Sequence, residues 1–97
     1  MKLVWAAFAL ADRRNIFAHI EADSPRAADH VDERIATAVR RLIDFPQSGR
    51  PGRIEGTREL VIPRTPYIAA YVVTANRVRI IRILHGAQRW PEELPPE

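Results

Sequence analysis

The sequence contains no cysteine, so no disulfide staples the fold and no thiolate holds a metal; this excludes the small secreted scaffolds and fits a reducing compartment. Lysine is almost missing too. Lys2 is the only one, and every other cation is arginine, whose planar fork suits bidentate carboxylate or phosphate contacts. A skewed genomic base composition explains that preference equally well. No apolar run approaches the roughly 20 residues that a membrane helix needs. The short run in MKLVWAAFALADRR meets Asp12, Arg13 and Arg14 too early and lacks a cleavage pattern, so it reads as strand and helix rather than as a leader. No segment is repeated or low in complexity. The expectation is a single soluble domain over residues 1–97, cytoplasmic, without membrane contact, metal or cofactor. A chain of 97 residues builds one two-layer core with little stability to spare, and so should lean on a partner.

The formal charge of +3 is unevenly spread. Residues 1–48 balance seven basic against seven acidic side chains. Residues 49–89 carry eight arginines against Glu55 and Glu59, and the tail from Trp90 to Glu97 adds Glu92, Glu93 and Glu97. A basic second half invites an acidic partner, either nucleic acid or an acidic protein segment, without saying which.

Alternation from Lys2 to Trp5 predicts a first strand. From about Ala6 to Glu21, the residues Ala6, Ala9, Leu10, Ile16, Phe17 and Ile20 share one helical arc. Arg13 lies in the middle of it, either burying its stem and snorkelling or marking an edge that faces a partner. Phe8 falls outside the arc. Ser24 and Pro25 form a helix start, a cap followed by a residue pre-set for the first turn. The second helix is predicted to run to about Asp44 on the stripe Ala28, Val31, Ile35, Ala38, Val39 and Leu42, ending at Pro46. The two helices should form a hairpin on one sheet face.

Residues 47–56 (QSGRPGRIEG) hold three of the four glycines together with Pro51 and read as an irregular loop bearing Arg50 and Arg53. The loop is either a plain surface connection or a weak phosphate cradle, since its spacing fits neither a P-loop nor a dinucleotide fingerprint. Three strands should follow as an antiparallel meander: Arg58–Ile62, Tyr67–Thr74 and Arg77–His85. With a turn at Ala75-Asn76, Thr74 pairs with Arg77, Tyr71 with Ile80 and Ala69 with Arg82. Tyr67, Ala69, Tyr71 and Val73 then share a face with Val78, Ile80, Arg82 and Leu84. Ile68, Ala70, Val72, Arg79, Ile81 and Ile83 share the other. Both faces are largely apolar and two helices cover only one, so the second is expected to be a docking surface. Arg82 near Tyr67 and Tyr71 makes either a cationic and aromatic cluster or a buried arginine satisfied by carbonyls or Glu59.

The loop Gly49 to Arg53, the strand Thr57 to Ile62, the pair Pro66-Tyr67, the closing run Arg82-Ile83-Leu84-His85-Gly86, the Ser24-Pro25 start and the segment Trp5 to Ala9 together resemble the RelE/ParE toxin superfamily, nearer its ParE branch. The likeness covers nearly the whole chain and is specific in combination. Arg13 departs from the pattern, in which leucine is usual. The resemblance implies a two-layer α+β fold: a strand, a helical hairpin and then an antiparallel meander, with the first strand beside the last.

It also implies a role. Ribonuclease members of the superfamily place basic residues and a tyrosine or histidine on the concave sheet face. The matching positions here hold Glu59, Val61, Ile68 and Ala87, and the tail from Gln88 has no tyrosine. Tyr71 and His85 are the only nominees for proton transfer, and no catalytic residue is assigned. The expected function is a non-nucleolytic toxin that stalls DNA gyrase and is neutralised by a ParD-like ribbon-helix-helix antitoxin, which alone contacts operator DNA. The alternatives are a ribosome-dependent mRNA endonuclease and a degenerate module that binds only its antitoxin. Arg13, Arg50, Arg53, Arg58, Arg79 and Arg82 are the expected antitoxin contacts. His85, Arg89 and Trp90 are the expected target contacts, Trp90 being either a core seal or a projecting anchor.

Overall fold

The computed structural model describes residues 1–94; the end of the acidic tail, Pro95, Pro96 and Glu97, lies outside the described residues. The chain runs β1 (Lys2–Trp5), α1 (Ala7–Glu21), α2 (Pro25–Arg40), a 3-10 turn (Arg41–Ile43), β2 (Arg50–Pro51), β3 (Arg58–Val61), β4 (Tyr67–Val73) and β5 (Arg77–His85). These form one α+β unit with a five-stranded sheet in the order β1-β5-β4-β3-β2. β1 lies parallel to β5, Lys2 opposite Arg77 and Trp5 opposite Ile80, while the other neighbours are antiparallel.

Ser24 caps α2 by accepting the Ala27 N–H at 3.2 Å, with Pro25 at the first helical position. The helix tightens to 3-10 geometry at Arg41, so it ends earlier than the periodicity alone predicts. Ala28, Ile35, Val39 and Leu42 of its stripe are fully buried. The face of α1 is narrower than its arc suggests: Ala9 is buried and Ile16 and Ile20 pack against the core, but Leu10 and Phe8 are exposed. Across the layer, Ile35, Val39 and Leu42 meet Tyr67, Ala69, Tyr71, Val78, Ile80 and Ile83.

Two expectations are corrected in the sheet. A bulge between Ala70 and Tyr71 leaves Ile81 unpaired, so Ala69 faces Ile83 and Ala70 faces Arg82. Tyr71 opposite Ile80 holds on the near side of it. Because strand side chains alternate, this one-residue slip turns Ile83 toward the helices and takes Arg82 and Leu84 off the Tyr67–Tyr71 face. No Arg82–tyrosine cluster forms; among the described residues the arginines stacked on aromatic rings are Arg13 on Trp5 and Arg53 on Trp90. The second correction concerns the other sheet face, where Ile68, Ala70, Ile81 and Leu84 are all buried. The glycine-rich loop and the carboxy-terminal segment close over it, so it is not the open docking surface that its apolar pattern predicts.

Candidate partner-binding surfaces

The loop from Pro46 to Thr57 is tied down by three groups. Tyr71, wholly buried, donates its hydroxyl to the Pro46 carbonyl at 2.9 Å and accepts the Gly49 N–H at 2.9 Å. Gly49 packs so close that a β-carbon there would sit 2.7 Å from Tyr71 Cε1 and 2.8 Å from the Glu59 carbonyl oxygen, which explains the glycine. Arg58 donates to the Gly49 and Gln47 carbonyls at 3.1 and 3.0 Å.

Glu59 is the third group, a carboxylate only 3% exposed at the centre of the second face. Its Oε1 accepts from Arg50 Nη2 at 3.0 Å and its Oε2 from the Arg53 backbone N–H and Nε at 2.8 and 3.1 Å. Burial pushes this carboxyl upward, but the hydrogen bonds from Arg53 and Arg50 outweigh it and hold the group below its ordinary value. The Arg53 guanidinium in turn lies 3.6 Å from the centre of the Trp90 ring. Trp90 donates its indole N–H to the His85 carbonyl at 3.2 Å. It is therefore half-buried, as the outer layer of a Glu59–Arg53–Trp90 stack.

His85 organises the turn beneath that stack. Its backbone N–H donates to Gln88 Oε1 at 2.8 Å, its Nδ1 accepts the Ala87 N–H at 3.0 Å, and its ring meets Tyr67 edge-on at 5.6 Å. Arg89 and Trp90 line a shallow hollow with Arg82, Leu84 and Pro91, so the fold gathers the carboxy-terminal residues in one place.

Arg82 and Asp12 form a bidentate pair, Nε–Oδ2 at 2.7 Å and Nη2–Oδ1 at 3.0 Å. The Asp12 hydrogen bonds, against desolvation, raise the Arg82 pKa above its ordinary value. Asp12 also accepts the Ile83 N–H at 2.9 Å. β1 stops opposite Ile80, and α1 supplies this carboxylate where the β5 edge loses its strand neighbour. Arg13 makes a similar bidentate pair with Asp32 of α2, at 3.0 and 2.9 Å, while lying 4.8 Å over the Trp5 ring.

Of the six arginines expected to meet a partner, Arg13, Arg50, Arg53, Arg58 and Arg82 thus hold internal acceptors, while Arg79 sits opposite Val72 on the second face. Sequence reasoning missed their acceptors Asp12 and Asp32, which carry no signal beyond being acids on a helix. Glu59 had one, as a lone carboxylate in an arginine-rich strand. It also missed a groove of ≈ 700 Å³ between α2 and β3, lined by Arg34, Ala38, Arg41, Phe45, Val61 and Arg64 among others.

A capped helical hairpin on a mixed five-stranded sheet, with β1 beside β5, defines a small two-layer α+β domain. Residues 3–90 match the family described as the ParE toxin of the type II toxin-antitoxin system parDE, and the chain belongs to that family. It is 45% identical over 93 residues to the candidate toxin Y4kP of Sinorhizobium fredii, covering 96% of each chain. It is also 36% identical over 87 residues to toxin RelE2 of Caulobacter vibrioides, covering 90% of this chain and 97% of that one. A solved structure of the chromosomal ParDE TA system from P. aeruginosa superposes with a TM-score of 0.79 at 30% identity, over 88% of this chain and 95% of that one. The fold is the one that the sequence resemblance implies. No helix among the described residues is long and apolar enough to cross a membrane.

Proposed function

We propose that this toxin acts in the cytoplasm by stalling DNA gyrase, without nuclease activity, and is held inactive by a ParD-like ribbon-helix-helix antitoxin that supplies the contacts to operator DNA. The observation that carries the non-nucleolytic reading is that three arginines of the sheet and its loop are held by internal carboxylates. Cleaving RNA through its 2′-hydroxyl needs a base and uncommitted cations around one phosphate. Here Arg50 and Arg53 are held by Glu59 and Arg82 by Asp12. Tyr71 is sealed in the core with both hydroxyl bonding directions used. The gyrase target rests on membership of the ParE family.

Two reactions with purified protein test the reading. Gyrase supercoiling should be inhibited, with cleaved DNA accumulating, while an mRNA under translation should stay intact. Ribosome-dependent cuts in that mRNA would replace this reading with the endonuclease. Inactivity in both reactions, with antitoxin binding retained, would leave a module that binds only its antitoxin.

A further inference from the structure

The carboxy-terminal turn hangs on one residue. Gly86 is fixed from β4, its N–H donating to the Pro66 carbonyl at 2.8 Å. Because Gly86 makes that cross-strand bond, the main-chain N–H and C=O of His85 point to the opposite edge of β5, which β1 left at Ile80. No strand meets them there, and the turn does instead. Among the described residues, the hydrogen bonds of Ala87, Gln88 and Trp90 all end on His85. The Gln88 N–H and the Trp90 indole N–H share the His85 carbonyl, each at 3.2 Å, and Gln88 Oε1 accepts the His85 N–H at 2.8 Å. The Ala87 N–H donates to the ring, at 3.0 Å from Nδ1.

The bonds to the main chain of His85 are indifferent to its charge, and the bond to its ring is not. An imidazole nitrogen accepts only while it carries no hydrogen, so the contact with Ala87 requires the neutral ring with its hydrogen on Nε2. Protonation puts a hydrogen on Nδ1 as well, and two donors then face each other. The ring must swing away or the turn must open. Swinging is opposed by Tyr67, which meets the half-buried ring edge-on at 5.6 Å. Histidine is the side chain that ordinarily changes charge between about pH 5 and 8.

We infer that His85 is a proton-sensitive latch: its neutral ring closes the turn that carries Arg89 and Trp90, and its protonation loosens that turn. The titratable and charged groups of the neighbouring elements do not replace the lost acceptor. From β4 comes the Tyr67 ring. From α1, Asp12 is committed to Arg82 and to the Ile83 N–H. The loop contributes Arg53 and Glu59, which hold one another. Arg89 and Glu92 lie in the hollow beside Trp90, and Glu92 would favour the charged ring and with it the open turn. The stack on Arg53 remains as the second hold on Trp90, so the segment loosens without leaving the sheet. The latch belongs to the turn itself and holds whatever Arg89 and Trp90 contact.

Nuclear magnetic resonance on the full chain, from about pH 8 to about pH 5.5, tests the latch. As the His85 ring resonances titrate, the protection of the Ala87 amide against hydrogen exchange, normalised to its intrinsic rate, should fall about fivefold. The Trp90 indole N–H resonance should move with the same midpoint. In His85→Asn the carboxamide oxygen accepts the N–H two residues on, as asparagine does in turns, and carries no titrating proton. Its Ala87 amide should stay protected across the range. His85→Phe keeps a ring against Tyr67 without an acceptor, and its Ala87 amide should be exposed already at the upper pH. The wild-type titration needs no substitution, so it decides even where His85→Phe is unstable. Ala87 protection that holds steady while the His85 ring titrates would overturn the latch. So would a loss of protection that persists in His85→Asn, since the carboxylates and the other two histidines remain there to cause it.

Discussion

Replacing Glu59 by glutamine removes one charge and leaves the shape almost unchanged, which isolates what the carboxylate does. Losing one partner of a buried ion pair costs about 3 to 5 kcal/mol when the other charge stays buried. Here Arg50 and Arg53 are 54% and 42% exposed, so water takes back much of both guanidiniums, and exposed pairs are worth about 0 to 1 kcal/mol. The amide keeps one acceptor, which can stay on the Arg53 backbone N–H, but its NH2 then faces the Arg50 and Arg53 guanidinium donors, and a mispaired buried polar group forfeits about 1 to 3 kcal/mol. The net expectation is about 2 kcal/mol, which for a domain of this size is a drop of about 8 to 16 °C in Tm. The effect should vanish in acid. The folded-state pKa of Glu59 is depressed, so its contribution is complete above the unfolded carboxylate pKa and is lost as pH falls through the lower folded value. Differential scanning calorimetry from pH 7 downward should show the wild-type and Glu59→Gln curves converging below about pH 4.3. In a Trp5→Phe background, Trp90 emission should shift to the red as the Arg53 stack loosens. A Tm gap under about 2 °C at pH 7, or one that does not narrow as the pH falls below about 4.3, would refute the central role given to this carboxylate.

Three other perturbations probe the rest of the frame. Tyr71→Phe strands the Gly49 N–H and the Pro46 carbonyl and should lower stability by about 1 to 3 kcal/mol in urea melts. Gyrase inhibition should persist if the tyrosine is purely structural. Asp12→Ala exposes the Arg82 charge and the Ile83 N–H together; the expected loss is about 2 to 3 kcal/mol, and Asp12→Ala/Arg82→Ala should cost less than the two singles added. Trp90→Ala should cost about 1 to 2 kcal/mol, below the 3 to 5 typical of a core tryptophan because the ring is only half-buried. Antitoxin affinity should survive that change while inhibition of supercoiling is lost; full inhibition would move the toxic surface away from His85, Arg89 and Trp90.

Much of the architecture was legible because its signals are local. The Ser24-Pro25 start, the stripe from Ala28 to Leu42, the turn at Ala75-Asn76 and the extent of β5 follow from capping, helical period and alternation, and each is where those rules put it. The β5 register beyond Ile80 was not, because a bulge is set by how α1 and β4 trap the strand from two sides, and no residue in Arg79-Ile80-Ile81-Arg82 announces it. The covering of the second sheet face escaped for a related reason. Both faces of β4 read as apolar, which says only that each is covered and leaves open whether a partner or the chain's own tail does it. The chain does it itself here, through Arg53 of the glycine-rich loop and Trp90 of the carboxy-terminal segment, two residues 37 positions apart in sequence that meet where Glu59 holds the loop.

The same distinction governs the charge. A count of arginines from Arg50 to Arg82 measures the long-range field of the second half, which steers an acidic partner whether or not each cation is paired. It does not identify the residues that contact that partner, because a guanidinium already held in a fork by Asp12, Asp32 or Glu59 must break that pair before it makes another. Exchanging one carboxylate for another across such a fork gains little, so the held arginines contribute to encounter more than to affinity. Short-range recognition falls to cations without an internal acceptor that lie beside exposed apolar groups. Among the described residues, Arg34 on α2, Arg41 in the 3-10 turn that follows it and Arg64 beside Pro63 are cations of this kind, and two of them lie in the half whose formal charges cancel.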